Sequence, residues 1–292
     1  GSVKMDGYQR KKAALSRLLE EYAQEDVMLA FSGGVDSGLL LYILCQKAKA
    51  RGTRVHAVTL HTALHPACEL SKAEREAKRA GAYHTVIEVD ELLEAGIITN
   101  PPDRCYRCKR YLYGRLVELA EERGIKRIIE GTNADDLKMY RPGIYAVREL
   151  GIISPLAGAD MRKEEVRRLA AEYGILSAGK PAAPCLATRF PYGTRLRHED
   201  MRRVELAEEY LRGLGWYNVR VRVHGETARI EVDESDIEKA LSCRKEIVKY
   251  LKELGYGYIA LDLEGFRSGS MDIHISDAGS LQEMENRGKT HI

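Results

Sequence analysis

The first half of the chain alternates short apolar runs with amphipathic stretches. Residues 27–31 form a continuous apolar run, which is typical of a strand buried on both faces of a parallel sheet. Further strands are predicted at 55–60, at 84–89 and from Ile128, and helices at 11–23, 38–50, 69–80 and 109–123. This alternation predicts an α/β fold with a doubly wound parallel sheet.

The pattern changes at 175–195, where glycine and proline cluster without periodicity, which indicates a functional loop or a domain junction. A second, smaller α/β unit is predicted after it, with helices at 198–213 and about 243–254 and strands at 217–223, 227–232 and about 257–263. We therefore predict domains at 1–185 and 186–275, followed by a flexible tail at 276–292.

The amino-acid composition limits the classes of protein to which the chain can belong. The 292 residues carry 46 Lys plus Arg against 44 Asp plus Glu, a net charge of +2, so no nucleic-acid partner is expected from overall charge. The longest apolar run, at 39–45, is far too short for a membrane span, and the start of the chain lacks a secretory pattern. Six cysteines are too sparse for a disulfide scaffold, which favours a cytoplasmic location.

A glycine loop at 32–37 joins the first strand to a helix. Gly33 and Gly34 let the backbone approach an anion, the helix start offers free N–H groups, and Ser32 and Ser37 add hydroxyl donors. Asp36 would repel phosphate unless a cation lay between them, which suggests Mg²⁺. The G-x-x-x-x-G-K spacing at 174–180 is rejected as a phosphate loop, because Pro181 follows it and a helix precedes it.

Cys105 and Cys108 form a C-x-x-C after a turn sequence. A closed zinc site needs four ligands, and the other cysteine in a comparable loop is Cys185. Three thiolates would leave a [4Fe–4S] cluster with one open iron, although a zinc knuckle with an outside ligand or a redox pair remains open. The neighbouring basic residues either lower the thiol pKa values or belong to a solvated helix start: Arg104, Arg107, Lys109 and Arg110. Cys45 is predicted to be core, and no role is assigned to Cys68 or Cys243.

Arg220 and Arg222 alternate with valines, so both arginines lie on one face of a predicted strand and form a candidate phosphate site. Glu208 borders the apolar stripe of the preceding helix and is a candidate to point toward the same cavity as the two arginines. The alternative is a solvated strand face with a carboxylate at a helix boundary. Asp135 and Asp136 are candidates for Mg²⁺ or substrate orientation, or for a turn or helix cap.

The loop at 32–37 resembles the PP-loop of the ATP pyrophosphatase superfamily, which has a Rossmann-like sheet. The resemblance implies that ATP is the cofactor and that its pyrophosphate is held by Ser32, Gly33, Gly34, Asp36 and Ser37. It also implies that adenine lies near Ala30, Thr59 and Gly131, where the switch-point rule for open α/β sheets places a ligand as well.

Five further segments, taken in order, resemble the LarE family: 102–109, 131–136, 154–156, 184–193 and 261–270. LarE is an ATP-dependent sulfurtransferase of nickel-pincer nucleotide biosynthesis, which serves lactate racemase. The resemblance implies that an acyl-adenylate forms on a carboxylate of pyridinium-3,5-biscarboxylic acid mononucleotide and that sulfur then gives a thiocarboxylate.

Family members with one cysteine give up the sulfur of the residue that matches Cys185. Members with three cysteines, which this chain resembles, are thought to hold a [4Fe–4S] cluster whose open iron carries a replaceable sulfide. The resemblance thus implies that Cys105, Cys108 and Cys185 are cluster ligands and that Cys185 and Asp36 are catalytic. The partners that it implies are a small-molecule nucleotide, sulfide or another sulfur donor, and identical subunits in a hexamer.

The residues that we propose as substrate contacts match the motifs of the family only loosely. Arg189, beside the Cys185 loop, is a candidate for the substrate carboxylate or the AMP phosphate, and Glu208, Arg220, Arg222 and Asp136 complete the candidate substrate-binding set. Two other functions stay open. One is a PP-loop tRNA thiolase with a three-cysteine cluster, against which the charge of +2 counts. The other is a zinc-stabilised module that binds nucleotide without releasing pyrophosphate.

Overall fold

The computed structural model describes residues 6–65, 70–139, 142–179 and 184–273. Three sequence predictions lie outside these residues: the tail at 276–292, Cys68, and the end of the rejected phosphate-loop pattern at 180–181. In the described ranges, no helix is both long and apolar enough to cross a membrane.

The first sheet has four parallel strands in the order β3-β2-β1-β4. Helices cover both of its faces, so the predicted doubly wound α/β fold is confirmed. The strands are β1 Val27–Ala30, β2 Val55–Thr62, β3 Tyr83–Val89 and β4 Ile128–Ile129. The helices are α1 Gly7–Tyr22, α2 Val35–Arg51, α3 Leu70–Ala80, α4 Glu91–Glu94, α5 Arg104–Glu122, α6 Gly143–Glu149, α7 Pro155–Gly158 and α8 Lys163–Glu172.

The central strand β1 explains why its sequence is apolar throughout. Val27 and Leu29 pack into the core on one face of the sheet, while Met28 packs into the core on the other face. All three side chains are fully buried. A strand covered by helices on both sides has no polar face, as the continuous run at 27–31 predicted.

A second sheet of three strands, in the order β5-β6-β7, confirms the smaller α/β unit. β5 and β6 pair as an antiparallel hairpin whose turn contains Gly225 at φ 59°, and β7 adds in parallel to β6. The strands are β5 Val219–His224, β6 Thr227–Val232 and β7 Tyr258–Leu261, and the helices are α9 His198–Gly213, α10 Ile237–Ser242 and α11 Arg244–Glu253.

The segment after Cys185 returns to the first sheet. The backbone N–H of Leu186 donates to the carbonyl of Leu64 at 2.9 Å, and that of Leu196 donates to the carbonyl of Ile98 at 2.7 Å. The core of the second sheet also includes side chains from α4 and α5, among them Leu92 and Leu112. The domain boundary that we propose at 185/186 therefore lies in a packed segment.

The start of α5 corrects one prediction. The helix expected at 109–123 begins at Arg104, so Cys105 and Cys108 lie in its first two turns and not in a loop. Arg107 stabilises this early start, because its Nε donates to Oδ2 of Asp103 at 2.9 Å, one helical turn away.

Candidate active site

The glycine loop lies where β1 passes into α2. Gly33 has φ 81°, a left-handed conformation that favours glycine, and Gly34 is the N-cap of α2. The backbone N–H of Ser32 donates to Oγ of Ser37 at 3.2 Å, and the two serine hydroxyls lie 3.2 Å apart. The loop thus presents hydroxyl groups and the start of a long helix on one side, which suits an anion.

Gly131, just after β4, approaches this loop closely. A Cβ added at Gly131 would lie 3.1 Å from Cβ of Asp36 and 3.2 Å from the backbone nitrogen of Ser37. β1 and β4 are neighbours at the point where the strand order reverses, which is where open α/β sheets bind ligands. The structure therefore brings Gly131 and the glycine loop together at the switch point.

Asp36 is held by two side chains that the sequence analysis did not single out. Nζ of Lys163, at the first residue of α8, donates to Oδ2 of Asp36, and Nδ2 of Asn133 donates to Oδ1 at 3.2 Å. Lys163 lies 127 positions after Asp36 in the sequence. The carboxylate is thus fixed at the mouth of the loop by one cation and one amide.

Asp135 and Asp136 organise the loop after β4. Oδ2 of Asp135 accepts the backbone N–H of Lys163 at 2.9 Å, beside the start of α8. Asp136 and Asn133 bond to each other reciprocally, each side-chain oxygen accepting the other's backbone N–H, at 3.1 and 3.0 Å. These contacts are those of the turn and helix-cap alternative.

Thr59 and Ala30 lie in adjacent strands near the carboxyl edge of the first sheet. The hydroxyl of Thr59 donates to the carbonyl of Phe31 at 2.7 Å and lies 2.7 Å from Nε2 of His84. Burial lowers the pKa of His84, which favours its neutral form. The Thr59 side chain thus ties β2 to β1 and β3 beside the expected adenine position.

Cys105, Cys108 and Cys185 come together, although Cys185 is distant in sequence. The charges of Cys105 and Cys185 both act on the pKa of Cys108, and Cys105 acts on that of Cys185. Burial raises the pKa of Cys108 well above its usual range and that of Cys185 to about 11, with Arg104 opposing the rise at Cys185. Basic neighbours act in the direction of the first alternative, Lys109 on Cys108 and Arg104 on Cys185, but burial outweighs them and the net pKa of both thiols is raised.

The basic residues around the C-x-x-C separate into one that is buried and three that contact other groups. Arg104 is 3% exposed, and its Nη2 lies 3.8 Å from Sγ of Cys105. Arg107 pairs with Asp103, Arg110 pairs with Glu149, and Lys109 lies over the ring of Tyr113. Arg104 alone of the four has a hydrogen bond to a candidate ligand among the described contacts.

Three thiols of this kind suit a thiophilic metal centre. In the part of the chain that the structure describes, no three His, Cys, Asp or Glu side chains converge on a position for one metal ion. In a cubane cluster each cysteine binds a different iron, so convergence on one point is not the arrangement that a cluster requires. Cys45 is buried, as predicted for a core residue.

Glu91 is a buried carboxyl group that the sequence analysis missed. Its side chain is fully buried at the start of α4, and Oε1 accepts the backbone N–H of Leu64 at 3.0 Å. Burial raises its pKa, and its charge in turn raises the pKa of Cys108 and Cys185. Glu91 follows Asp90 at a helix start and gives no sequence signal of its own, because its partner Leu64 lies 27 positions earlier.

The candidate substrate arginines are buried on the second sheet and not solvated. Arg189 makes two 2.8 Å hydrogen bonds to the carboxylate of Glu208, and both side chains are at most 3% exposed. Arg222 pairs with the fully buried Glu231 at 3.0 Å. Burial and the charge of Arg189 lower the pKa of Arg220 to about 10. Glu231, which both Arg229 and Ser270 also contact, was not predicted.

A cleft of about 530 Å³ opens beside the carboxyl ends of β2 and β3, against the start of α9. It is lined by charged and imidazole side chains together with the ends of the two strands: His61, Thr62, Ala63, His65, Glu88, Val89, Asp90, His198, Arg202 and Glu205. The cleft therefore lies next to the segment that connects the two sheets.

Comparison with known proteins agrees with this arrangement. Residues 8–138 match the model of a PP-loop domain. The chain is 38% identical to the pyridinium-3,5-bisthiocarboxylic acid mononucleotide synthase of Lactiplantibacillus plantarum, over 92% of this chain and 96% of the synthase. It is 37% identical to an uncharacterised protein of Synechocystis, over 89% of this chain and 97% of that protein.

A more distant similarity covers about half of each chain. The tRNA-specific 2-thiouridylase MnmA of Rickettsia bellii is 26% identical over 54% of this chain and 52% of its own length. The similarity to the synthase, in contrast, spans both sheets and nearly the whole of both proteins. The chain therefore belongs to the LarE family of ATP-dependent PP-loop sulfurtransferases.

Proposed function

We propose that this enzyme converts the carboxylates of pyridinium-3,5-biscarboxylic acid mononucleotide to thiocarboxylates, for nickel-pincer nucleotide biosynthesis and lactate racemase maturation. The observation that carries the proposal is the similarity to the synthase, which extends over 92% of this chain. The fold supports it, because the loop assigned to ATP follows β1 and the C-x-x-C begins α5 of the same α/β unit.

Activation of the carboxylate is assigned to the glycine loop. Ser32, Gly33, Gly34 and Ser37 bind the pyrophosphate part of ATP at the start of α2, while Asp36 holds Mg²⁺ against the phosphates. Lys163 and Asn133 keep the Asp36 carboxylate in place. A substrate carboxylate attacks the α-phosphate, the bond to pyrophosphate breaks, and an acyl-adenylate forms.

Sulfur delivery is assigned to the three cysteines. Their thiols fit the donor set of an iron–sulfur cluster, with Cys105, Cys108 and Cys185 as its ligands. When bound, such a cluster supplies an iron site at which external sulfide can exchange. This chain's contribution is to fix the three ligands on α5 and on the segment that contacts Leu64.

The mononucleotide phosphate is assigned to the arginine cluster, which we define as Arg189, Arg220 and Arg222. Arg189 pairs with Glu208 and Arg222 with Glu231, and the three guanidinium groups lie close enough for the charges of Arg189 and Arg222 to add to burial in lowering the pKa of Arg220. Asp136 organises the loop after β4 through its bonds with Asn133 and is kept as a candidate for substrate orientation. We also propose that the enzyme works in the cytoplasm as a homo-oligomer.

The test is anaerobic reconstitution with iron and sulfide, followed by ATP, Mg²⁺ and the pyridinium dicarboxylate nucleotide. We expect a thiocarboxylate product by mass spectrometry, with AMP and pyrophosphate released together. Cys105→Ala, Cys108→Ala and Cys185→Ala should each lose the visible absorbance of the cluster, whereas the control Cys243→Ala should retain it. Thiolation of tRNA without reaction of the nucleotide would overturn the proposal and favour the tRNA thiolase.

A further inference from the structure

Arg104 is a buried cation that contacts Asn100, Cys105 and Tyr192. It is 3% exposed, and Nη1 donates to the amide oxygen of Asn100. Its guanidinium carbon lies 5.2 Å from the centre of the Tyr192 ring, and Nη2 donates to Sγ of Cys105 at 3.8 Å. Nε is buried and has no hydrogen-bond partner among the described residues.

The buried arginines of the second sheet provide a contrast. Arg189 and Arg222 each have a buried carboxylate within 3.0 Å. Among the described residues, no carboxylate lies within 4.0 Å of Arg104 in an ion pair. Because a buried charge is costly without a counter-charge, Arg104 requires an anion that the described carboxylates do not supply.

The position of that anion follows from the neighbours of Arg104. Nη2 lies 3.8 Å from Sγ of Cys105, and Cys185 is near enough for its charge to act on Arg104. The side chain therefore lies beside the three-cysteine centre. Asn100 and Tyr192 contact the guanidinium from other sides, so the direction of its Nε donor, which has no partner among the described residues, is fixed.

We propose that Arg104 is the positioning residue that supplies the permanent positive charge of the three-cysteine centre and attracts hydrosulfide to it. This inference rests on the proposed function, since it requires a metal-bound, anionic centre at the three thiols. Arginine suits the role because its guanidinium keeps its proton at any physiological pH and directs its N–H groups in one plane.

The test compares Arg104→Met and Arg104→Lys with the matched control Arg107→Met. Arg107 carries the same charge three residues along α5, but its side chain is 44% exposed and pairs with Asp103. After anaerobic reconstitution, iron per chain is measured, and sodium sulfide is titrated against the visible absorbance. We expect R104M to bind hydrosulfide about tenfold more weakly than the wild type or to lose iron, because hydrogen bonds from charged groups are the stronger ones.

The reduction potential provides a second readout. R104M should shift it to more negative values, since the reduced centre carries more negative charge, while R107M should leave it unchanged. If R104M does not fold, the reduction potential of R104K is measured instead. R104K keeps the positive charge, so we expect the wild-type potential, and a shifted potential would overturn the role of Arg104. Wild-type affinity and potential in folded R104M would overturn the role of Arg104 alone. Failure of the wild type to bind iron would overturn the proposed sulfur centre as well.

Discussion

The glycine loop and the arginine cluster are both suited to anions, but they are built from different groups. The loop offers backbone N–H groups and two serine hydroxyls at the start of a helix. The cluster consists of buried guanidinium groups, two of which are already bonded to Glu208 and Glu231. The loop is therefore ready for a ligand, whereas the cluster is also part of the core of the second sheet.

Because of this difference, we expect substitutions in the loop to change mainly activity and substitutions in the arginine cluster to change mainly stability. Removal of a group from the loop should affect ATP binding more than folding, because the loop lies beyond the carboxyl end of β1. Removal of a carboxylate from the arginine cluster leaves an unpaired buried charge, so folding should be affected first. Three substitutions test this contrast.

The largest effect is expected for Glu208→Ala. The variant leaves Arg189 buried without its bidentate partner, and the free energy of unfolding should fall by about 3–5 kcal/mol. Urea unfolding followed by circular dichroism measures the loss. Glu199→Ala, at an 83% exposed position of the same helix, is the control and should cost less than about 1 kcal/mol. Equal losses of unfolding free energy in the two variants would contradict the difference between the loop and the cluster.

A smaller effect, on activity, is expected for Asp36→Asn. Loss of the carboxylate charge should slow pyrophosphate release about 100-fold, because it removes the proposed Mg²⁺ ligand at the site of transition-state charge. The urea midpoint should change little, since Asp36 lies at the loop mouth. Asp160→Asn is the control, because Asp160 is 80% exposed and asparagine tolerates its φ of 53°. Unchanged pyrophosphate release in D36N would refute the assigned role.

The smallest effect is expected for Gly131→Ala. Its new Cβ would meet Asp36 and the backbone of Ser37 at 3.1–3.2 Å, which should cost about 1–3 kcal/mol and weaken ATP binding. Gly114→Ala, in the interior of α5 with no described atom within 4 Å of the new Cβ, should instead stabilise the protein by up to about 1 kcal/mol. Isothermal titration with ATP and thermal unfolding distinguish the two variants.

Local patterns were sufficient for the features that depend on near neighbours. The apolar run at 27–31, the glycine loop after it and helix α9 at 198–213 could all be predicted, because each is encoded within one or two turns of chain. The start of α5 was placed five residues too late, since the pattern of apolar residues does not reveal the ion pair between Asp103 and Arg107.

The residues that were missed have partners far along the chain. Lys163 reaches Asp36 across 127 positions, and Asn100 contacts Phe190 across 90. The alternation of β5 placed Arg220 and Arg222 on one face, but it could not show that this face is covered and that Glu231 lies there. Periodicity identifies a face of a strand, while the fold decides what packs against it.

The bonds between Asn100 and the segment after Cys185 also set an order of events during synthesis. Nδ2 of Asn100 donates to the carbonyls of Phe190 and Pro191, 90 and 91 positions later. A nascent chain thus exposes Cys105 and Cys108 before Cys185 has been translated. The three thiols can meet only after Cys185 has been made and the segment at 190–191 has bonded to Asn100, so the proposed loading with iron has to follow the packing of this segment.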